Sequence, residues 1–193
     1  MPEKVDRRIR KTKSQLRAGL ARLMQKKSIN EITVKELVEE VDINRSTFYL
    51  HYTDIYQMLD SIEQELTEEF TAAIASFPIN PLQEDSFPLI AQLFTIIEEN
   101  QDICRALLGT NGDMAFVTRI EEIIAERVLK QLASVFQKNI RDIAYAYAFC
   151  LNGCVGLIKT WLVDNLNDTP QHMAELTNIL VVNTVHNFIS QNS

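Results

Sequence analysis

The spacing of apolar residues along the chain predicts helices and no strands. Neither glycine nor proline occurs between Gly19 and Pro78, so long helices can form there without interior breakers. A first helix is predicted from about Asp6 to Lys26, with these apolar positions on one side: Ile9, Leu16, Leu20, Leu23 and Met24. Beyond Pro88 the same periodicity predicts helices at about 88–99, 102–108, 113–137, 139–165 and 171–190. We therefore expect an all-α fold.

Two short helices and one long helix are predicted directly after the first. Thr33 and Glu36 are spaced as a capping box, in which Thr33 accepts the third helical N–H and Glu36 bonds back to the cap. After a short turn, Asn44 is a good cap for a brief helix of about residues 45–52. A long helix of about residues 54–77 follows. The first three helices, with a tight turn before the third, have the layout of a helix-turn-helix domain.

We divide the chain into two domains at the start of the long helix. Residues 1–53 are expected to form the small three-helix domain. Residues 54–193 are expected to form a larger helical domain, which the long helix joins to the first. A proline-containing connection at Pro78, Pro81 and Pro88 is a strong break in composition, but it lies inside the second domain.

The net charge of −7 is unevenly distributed between these domains. Residues 1–53 contain 12 lysine and arginine residues against 7 acidic ones, whereas the rest of the chain contains 7 against 19. A basic end on an acidic body suggests that this end binds a polyanion. On charge alone, a solvated helix face explains the same pattern equally well.

Composition also bears on compartment and reaction class. The five glycines lack the spacing of a P-loop or a dinucleotide-binding loop. Three cysteines without disulfide or zinc-pair spacing fit a reducing cytosol, and the charged N-terminus has no apolar signal segment. We expect a cytoplasmic protein.

No residue pattern indicates an enzyme. The three histidines lie far apart in the sequence, and the paired carboxylates are adjacent residues, which point apart on a helix. Cys150 and Cys154 have a spacing that can hold a metal, but no third ligand lies beside them, and buried cysteine is the simpler interpretation. We therefore expect no catalytic residues, no metal and no cofactor.

An apolar run from Ile143 to Ile158 allows two interpretations. It approaches the length of a transmembrane helix, but charged residues lie directly before it and at Lys159. A helix that is apolar all round is otherwise buried on both sides, by a core and by a subunit contact. Because Gly153 and Gly156 allow another helix to approach closely, we favour a dimer interface and expect no membrane association.

The brief helix of residues 45–52 has the pattern of a recognition helix. With Phe48 in the core, a rotation of about 100° per residue places Tyr52 on the same side. The outward positions are then Ser46, Tyr49 and Leu50, with Thr47 on the flank. A recognition helix needs polar and flat side chains on such a face, near its N-terminus, where it enters the major groove.

These residues suit contacts with DNA. Arg45 can pair with a guanine edge, and Thr47 can bond a base or touch a thymine methyl group. Tyr49 and His51 suit phosphates, as do the backbone N–H groups of the helix that Thr33 caps. The basic first helix adds attraction that does not depend on sequence.

These motifs resemble the DNA-binding domain of TetR-type transcriptional regulators. The resemblance covers about residues 8–60 and is carried by Ile32-Thr33-Val34 and by the run from Asn44 to Asp54, with Thr-Phe-Tyr-Leu-His-Tyr at its centre. The rest of the chain resembles the larger helical domain of this family. It is most similar to a branch common in Firmicutes, through Leu107-Leu108-Gly109 and Trp161-Leu162.

The resemblance implies a role for each matching residue. Thr33 and Lys35 match phosphate-binding positions, and Tyr49 and His51 match other backbone-contacting positions. The base-reading positions are Arg45, Ser46 and Thr47, and Asn44 completes the expected DNA-binding set. Two positions depart from the family pattern. Asp42 stands where glycine is common, and Ile55 replaces a lysine that commonly binds phosphate.

The resemblance further implies a homodimer, formed through the helices at about 139–165 and 171–190. Such dimers bind pseudo-palindromic double-stranded operators, and a small molecule in the larger domain controls them. We expect a ligand-responsive repressor with an unidentified effector; the alternative is control by a partner protein. Residues that could line an effector pocket, or equally form plain core, are Phe94, Ile97, Cys104, Met114, Phe116, Tyr145, Tyr147, Phe149 and Trp161.

Overall fold

The computed structural model describes residues 2–77, 87–135 and 140–192. The all-α prediction is confirmed, because these ranges contain nine α-helices and one 3₁₀ turn (Ile29–Glu31) and no strand. The helices are α1 (Pro2–Met24), α2 (Val34–Glu40), α3 (Arg45–Tyr49), α4 (Ile55–Ser76), α5 (Phe87–Glu99), α6 (Gln101–Leu108), α7 (Met114–Val135), α8 (Ile140–Val163) and α9 (Pro170–Asn192).

The predicted proline-containing connection is described only at its end. Pro78 and Pro81 lie outside the described residues. Pro88 is the second residue of α5, where the missing N–H of proline costs no helical hydrogen bond. The predicted helices at about 113–137 and 139–165 also reach residues 136–139, which lie outside the described part of the chain.

Contacts divide the described residues into two compact units. The first unit comprises the residues up to Thr67 together with Asn100–Phe116, and the second comprises the remainder. The first unit therefore takes the first three turns of α4 and the whole of α6, which the sequence analysis assigned to residues 54–193. The functional boundary between residues 53 and 54 stays a prediction.

In the first unit, α1 packs against α2 and α6, and α2 packs against α3. Fully buried side chains hold these helices together, among them Leu16, Leu20, Leu37, Phe48, Met58 and Leu107. Polar contacts join other segments, because Arg17 Nη2 donates to Asn100 Oδ1 at 2.7 Å and Arg17 Nη1 lies 3.6 Å from Glu65 Oε2. Ile9 lies on the same side of α1 by helical spacing but is 40% exposed, and the buried stripe of the described part of α1 begins at Leu16.

In the second unit, α9 packs against α5 and α8. The rings of Phe94 and Trp161 meet edge to face, with centroids 5.3 Å apart. Trp161 Nε1 donates to the Asp168 carbonyl at 2.9 Å, so the buried indole has a partner for its N–H. Met173, Ala174 and Thr177 are buried in the N-terminal part of α9.

Candidate nucleic-acid interface

Thr33 and Glu36 form the predicted capping box at the start of α2. The Glu36 N–H donates to Thr33 Oγ1 at 3.2 Å, and the Thr33 N–H donates to Glu36 Oε2 at 3.0 Å. The Thr33 hydroxyl also donates to Glu36 Oε2 at 3.0 Å. Both donors of Thr33 are therefore engaged by one carboxylate in the free protein.

Lys27, which lies three residues after the end of α1, adds two hydrogen bonds to this capping box and to the turn before it. Its Nζ donates to Glu36 Oε1 at 2.6 Å and to the Glu31 carbonyl at 2.9 Å. The hydrogen bond from Lys27 and then those from Thr33 lower the pKa of Glu36 to about 2. The carboxylate thus stays ionised at neutral pH, and it compensates the charge of Lys27.

The turn between α2 and α3 is closed by a left-handed residue. Asp42 has φ 52°, and the Ile43 N–H donates to the Val38 carbonyl at 3.0 Å. Asp tolerates this conformation better than most residues, so aspartate serves where the family commonly has glycine. The departure at Asp42 leaves the turn intact.

The orientation predicted for α3 is confirmed. Phe48 is fully buried and Tyr52 is buried beside it, with ring centroids 5.8 Å apart. The residues that face solvent are Ser46, Tyr49 and Leu50, and Thr47 is half-buried. Tyr49 is 57% exposed and Leu50 is 80% exposed, so no described residue covers this face.

The remaining predicted DNA-binding residues lie around this face. Asn44 occupies the N-cap position of α3 with extended backbone, but its side chain makes no capping bond. Its carbonyl accepts the Thr47 N–H at 2.9 Å instead. Arg45 and Asn44 are exposed, whereas His51 is half-buried and its ring lies 6.3 Å from that of Tyr52.

Exposed basic side chains lie on α1 and α2. Lys35 on α2 is exposed, and its Nζ is 3.9 Å from Glu39 Oε1, a weak surface pair. On α1, Arg8 and Lys11 are exposed, and Lys13 Nζ lies 5.8 Å from the centre of the Tyr52 ring. This cation–π contact brings one basic side chain of α1 close to Tyr52, which lies three residues after the end of α3.

The second departure from the family pattern, Ile55, is the first residue of α4. Ile55 is only 4% exposed, so the position that commonly carries a phosphate-binding lysine belongs to the core here. Asp54 begins the helix by accepting the Gln57 N–H at 2.8 Å. Tyr56, which follows Ile55, faces solvent, and its hydroxyl donates to Asn30 Oδ1 at 3.0 Å. These two residues lie 26 positions apart, so no local sequence pattern predicts their hydrogen bond.

The second unit presents a large apolar surface on its last two helices. On α8, Tyr145, Phe149 and Val163 are 63–78% exposed. On α9 the exposed apolar residues are Leu176, Ile179 and Leu180. Among the described residues, nothing lies within 4 Å of a Cβ added at Gly153 or Gly156, so none of them covers these two glycines of α8.

Part of α8 also satisfies the length and composition of a membrane span. Ala144–Val163 has a mean hydropathy of 1.4, and only 11% of its most apolar window is buried. It is the single such helix among the described residues. Within the part of the chain that the structure describes, most of this apolar run is therefore left uncovered.

The nine residues considered for an effector pocket fall into different environments. Met114, Tyr145 and Phe149 are exposed. Tyr147 is half-buried, and its hydroxyl donates to the Glu121 carbonyl at 3.5 Å. The other five are buried, and they are Phe94, Ile97, Cys104, Phe116 and Trp161.

Cys150 and Cys154 on α8 are half-buried free thiols. Burial raises the pKa of the Cys150 thiol and raises that of Cys154 to about 11. No group of three or more metal-ligating side chains occurs among the described residues. The two thiols thus remain protonated at neutral pH.

Comparisons with known proteins identify the family. A model of the TetR transcriptional regulator C-terminal region matches residues 84–183, which is more than half of the chain. No curated protein sequence matches the chain.

Solved structures share the fold over nearly the whole chain. A TetR transcriptional regulator from Streptococcus agalactiae has a TM-score of 0.56 at 22% identity, covering 94% of this chain and 99% of that one. The fatty acid degradation regulator FadR from Bacillus halodurans has a TM-score of 0.60 at 14% identity, covering 88% and 94%. FadR from Bacillus subtilis, solved with stearoyl-CoA, has a TM-score of 0.58 at 13% identity, covering 88% and 97%. This chain belongs to the TetR family of transcriptional regulators, which are DNA-binding transcription factors and not enzymes.

Proposed function

We propose that this protein is a ligand-responsive repressor that binds a pseudo-palindromic operator as a homodimer. The observation that carries the proposal is the solvent-facing side of α3. A buried Phe48 and Tyr52 anchor the helix, while Arg45, Ser46 and Tyr49 are exposed in the described part of the chain. Flat and polar side chains at the start of a short exposed helix suit entry into the major groove.

Base reading belongs to the first residues of α3. Arg45 presents a planar fork of donors that matches the guanine edge, and Thr47 offers a hydroxyl and a methyl group. Ser46 lies between them on the exposed face. Asn44, whose amide makes no capping bond, is available for a neighbouring base or phosphate.

Backbone contacts belong to Lys35, Tyr49, His51 and Thr33. Lys35 is the strongest of these because it is exposed and cationic. Tyr49 is exposed and carries a hydroxyl that donates to phosphate. Thr33 donates to Glu36 in the free protein, so it exchanges this partner for a phosphate only if the carboxylate moves aside.

The homodimer is proposed to form through the predicted segments 139–165 and 171–190. Exposed aromatic and aliphatic side chains on α8 and α9, with the bare stripe at Gly153 and Gly156, provide a self-complementary apolar surface. Burial of this surface in a dimer would cover the apolar run of α8 without a membrane. To bind adjacent major grooves, such a cytoplasmic dimer must hold its two copies of α3 about 34–36 Å apart.

Control by a small molecule follows from coupled equilibria. In one conformation of the dimer, the two DNA-binding domains are not spaced to fit adjacent major grooves. An effector that binds this conformation better lowers the affinity of the protein for the operator. Because the coupling is reciprocal, bound operator lowers the affinity of the protein for the effector by the same factor. The related fold of Bacillus subtilis FadR was solved with stearoyl-CoA. This supports an effector with an apolar part for the present chain.

Selection of the purified protein against a random duplex library tests the proposal. The salt dependence of affinity is then measured on the selected duplex. A two-fold symmetric site with steep salt dependence is expected. Failure to enrich any duplex, or enrichment of sites without symmetry, would contradict the proposal.

The alternative is a TetR-type regulator controlled by a partner protein. The buried Ile55 favours it, because the loss of a cationic anchor weakens unassisted DNA binding. A protein that co-purifies stably, together with release of the selected duplex by that protein alone, would support the alternative. Release by a small apolar molecule would support ligand control.

A further inference from the structure

Asn30 and Tyr56 connect the 3₁₀ turn before α2 to the first turn of α4. The Tyr56 hydroxyl donates to Asn30 Oδ1 at 3.0 Å, and both residues are exposed. This bond uses the acceptor of the Asn30 amide and directs the amide plane. The Nδ2 group, with its two N–H donors, therefore points away from Tyr56.

The turn that carries Asn30 is held in place by its neighbours. The Ser28 N–H donates to Glu31 Oε2 at 3.1 Å, and Lys27 Nζ donates to the Glu31 carbonyl at 2.9 Å. Lys27 also binds Glu36 at the start of α2. A donor on such a fixed turn loses little conformational entropy when it binds a ligand.

We propose that the Asn30 amide is a neutral phosphate-binding group of the operator interface and that Tyr56 is its positioning residue. The inference rests on the proposed DNA-binding function. Asn30 lies three residues before Thr33, and Tyr56 follows Ile55, so the pair joins the two segments at which the family contacts phosphate. Because Ile55 is buried in the core, an amide replaces the missing ammonium group at this edge.

The chemistry distinguishes this contact from a lysine contact. An amide N–H bonded to a phosphate oxygen adds affinity without releasing a condensed counterion. Its removal therefore weakens binding to every duplex and leaves the salt slope unchanged. Lys35, by contrast, carries a charge, so its removal lowers the affinity for every duplex and also reduces the salt slope.

Two substitutions at Asn30 separate a phosphate contact from a purely structural role. Binding is measured by fluorescence anisotropy over a range of NaCl, on the selected operator and on a scrambled duplex. Asn30→Ala is expected to weaken both complexes by about tenfold, since a hydrogen bond to a charged group is lost. Asn30→Asp keeps an oxygen that accepts from Tyr56 but removes the donors and adds negative charge, so it is expected to bind more weakly than Asn30→Ala.

Gln57→Glu is the matched control for added charge. It places one carboxylate beside Tyr56 and keeps an oxygen that accepts the Thr53 N–H, a bond of 3.3 Å in the structure. Asn30→Asp must weaken binding clearly more than Gln57→Glu. Tyr56→Phe is expected to weaken binding less than Asn30→Ala and to have no further effect in the Asn30→Ala background. Melting temperatures within a few degrees of wild type identify variants that are folded.

The outcomes distinguish the contact from the function on which it rests. If wild type binds the operator and Asn30→Ala binds equally well, the phosphate contact is wrong. If Asn30→Asp binds DNA as tightly as Gln57→Glu does, the phosphate contact is also wrong, because a structural role of Asn30 then explains the data. If wild type binds no duplex, the DNA-binding proposal itself fails.

Discussion

A Cβ atom added at Gly19 would lie 2.3 Å from Cγ1 of Val41, so a larger residue at position 19 forces Val41 or the adjoining backbone to shift. Leu37 Cδ1 would lie 3.1 Å from the same added atom. Gly19 is buried in the middle of α1, where glycine is unfavourable for the helix. The glycine therefore sets the distance between the basic helix and the helix that carries Lys35.

Gly19→Ala is expected to destabilise the first unit. Overpacking costs about 1–3 kcal/mol, which exceeds the gain of about 1 kcal/mol in helix propensity. Urea denaturation of the variant measures the net loss. Val41→Ala in the same chain removes the clashing methyl group, so the double variant should be more stable than the two separate losses predict. If Gly19→Ala alone were more stable than wild type, the close approach of Gly19 to Val41 would be contradicted.

Glu36→Gln is expected to remove a pH-dependent part of the stability of the first unit. The pKa of Glu36 is lowered to about 2 in the folded protein from its ordinary value of 4.5. Its contribution is therefore present above pH 4.5 and is lost as the pH falls toward 2. Glutamine retains the capping geometry but not the ion pair with Lys27.

The difference in melting temperature between Glu36→Gln and wild type tests this expectation. It should be largest near neutral pH and should close between pH 4.5 and 2. A difference that stays constant across this range would show that the ion pair with Lys27 does not set the pKa.

Arg45→Ala is expected to cost about 1–3 kcal/mol in operator binding and to relax the preference at one base pair. The reason is the loss of a planar pair of donors to a base edge. Repeating the library selection with the variant measures both effects. Unchanged affinity for the best wild-type site would mean that α3 is not the reading helix.

Lys35→Ala is expected to weaken binding to all duplexes alike and to reduce the salt slope by about one unit. A phosphate contact from a cation carries no sequence information but releases a counterion. Titrations of operator and scrambled duplex over a range of NaCl measure the slope. A loss confined to the operator would assign Lys35 to base reading instead.

Phe149→Glu is expected to convert the proposed dimer into a monomer and to weaken operator binding with it. Phe149 is 72% exposed on α8, and a charge there would be buried without a partner in the dimer. Analytical ultracentrifugation measures the mass. Met114→Glu is the matched control, because Met114 is 67% exposed but lies outside α8 and α9. Equal masses for Phe149→Glu and wild type would place the interface elsewhere.

Local signals in the sequence predicted much of the proposed interface. The capping box at Thr33 and Glu36 and the orientation of Phe48 and Tyr52 are confirmed, since both depend on residues within one helical turn. The tolerance of Asp42 for a left-handed turn is likewise a property of the residue itself.

Contacts between distant residues were beyond the reach of sequence patterns. Ile9 fits the apolar stripe of α1 by periodicity, yet it is exposed because buried packing on that helix begins at Leu16. The hydrogen bond between Tyr56 and Asn30 also joins segments that are far apart in the chain. The same is true of the packing that places α6 in the first unit.

Local sequence patterns were enough to predict that this protein is helical and which residues α3 exposes, while the reading of bases by α3 stays a proposal. Helical period and capping chemistry are local, so the order of residues is enough to specify them. The burial of Ile55, the close approach of Gly19 and Val41, and the exposure of the apolar run of α8 among the described residues became visible only in the folded chain. Each depends on which surfaces meet, and this is decided by packing between elements.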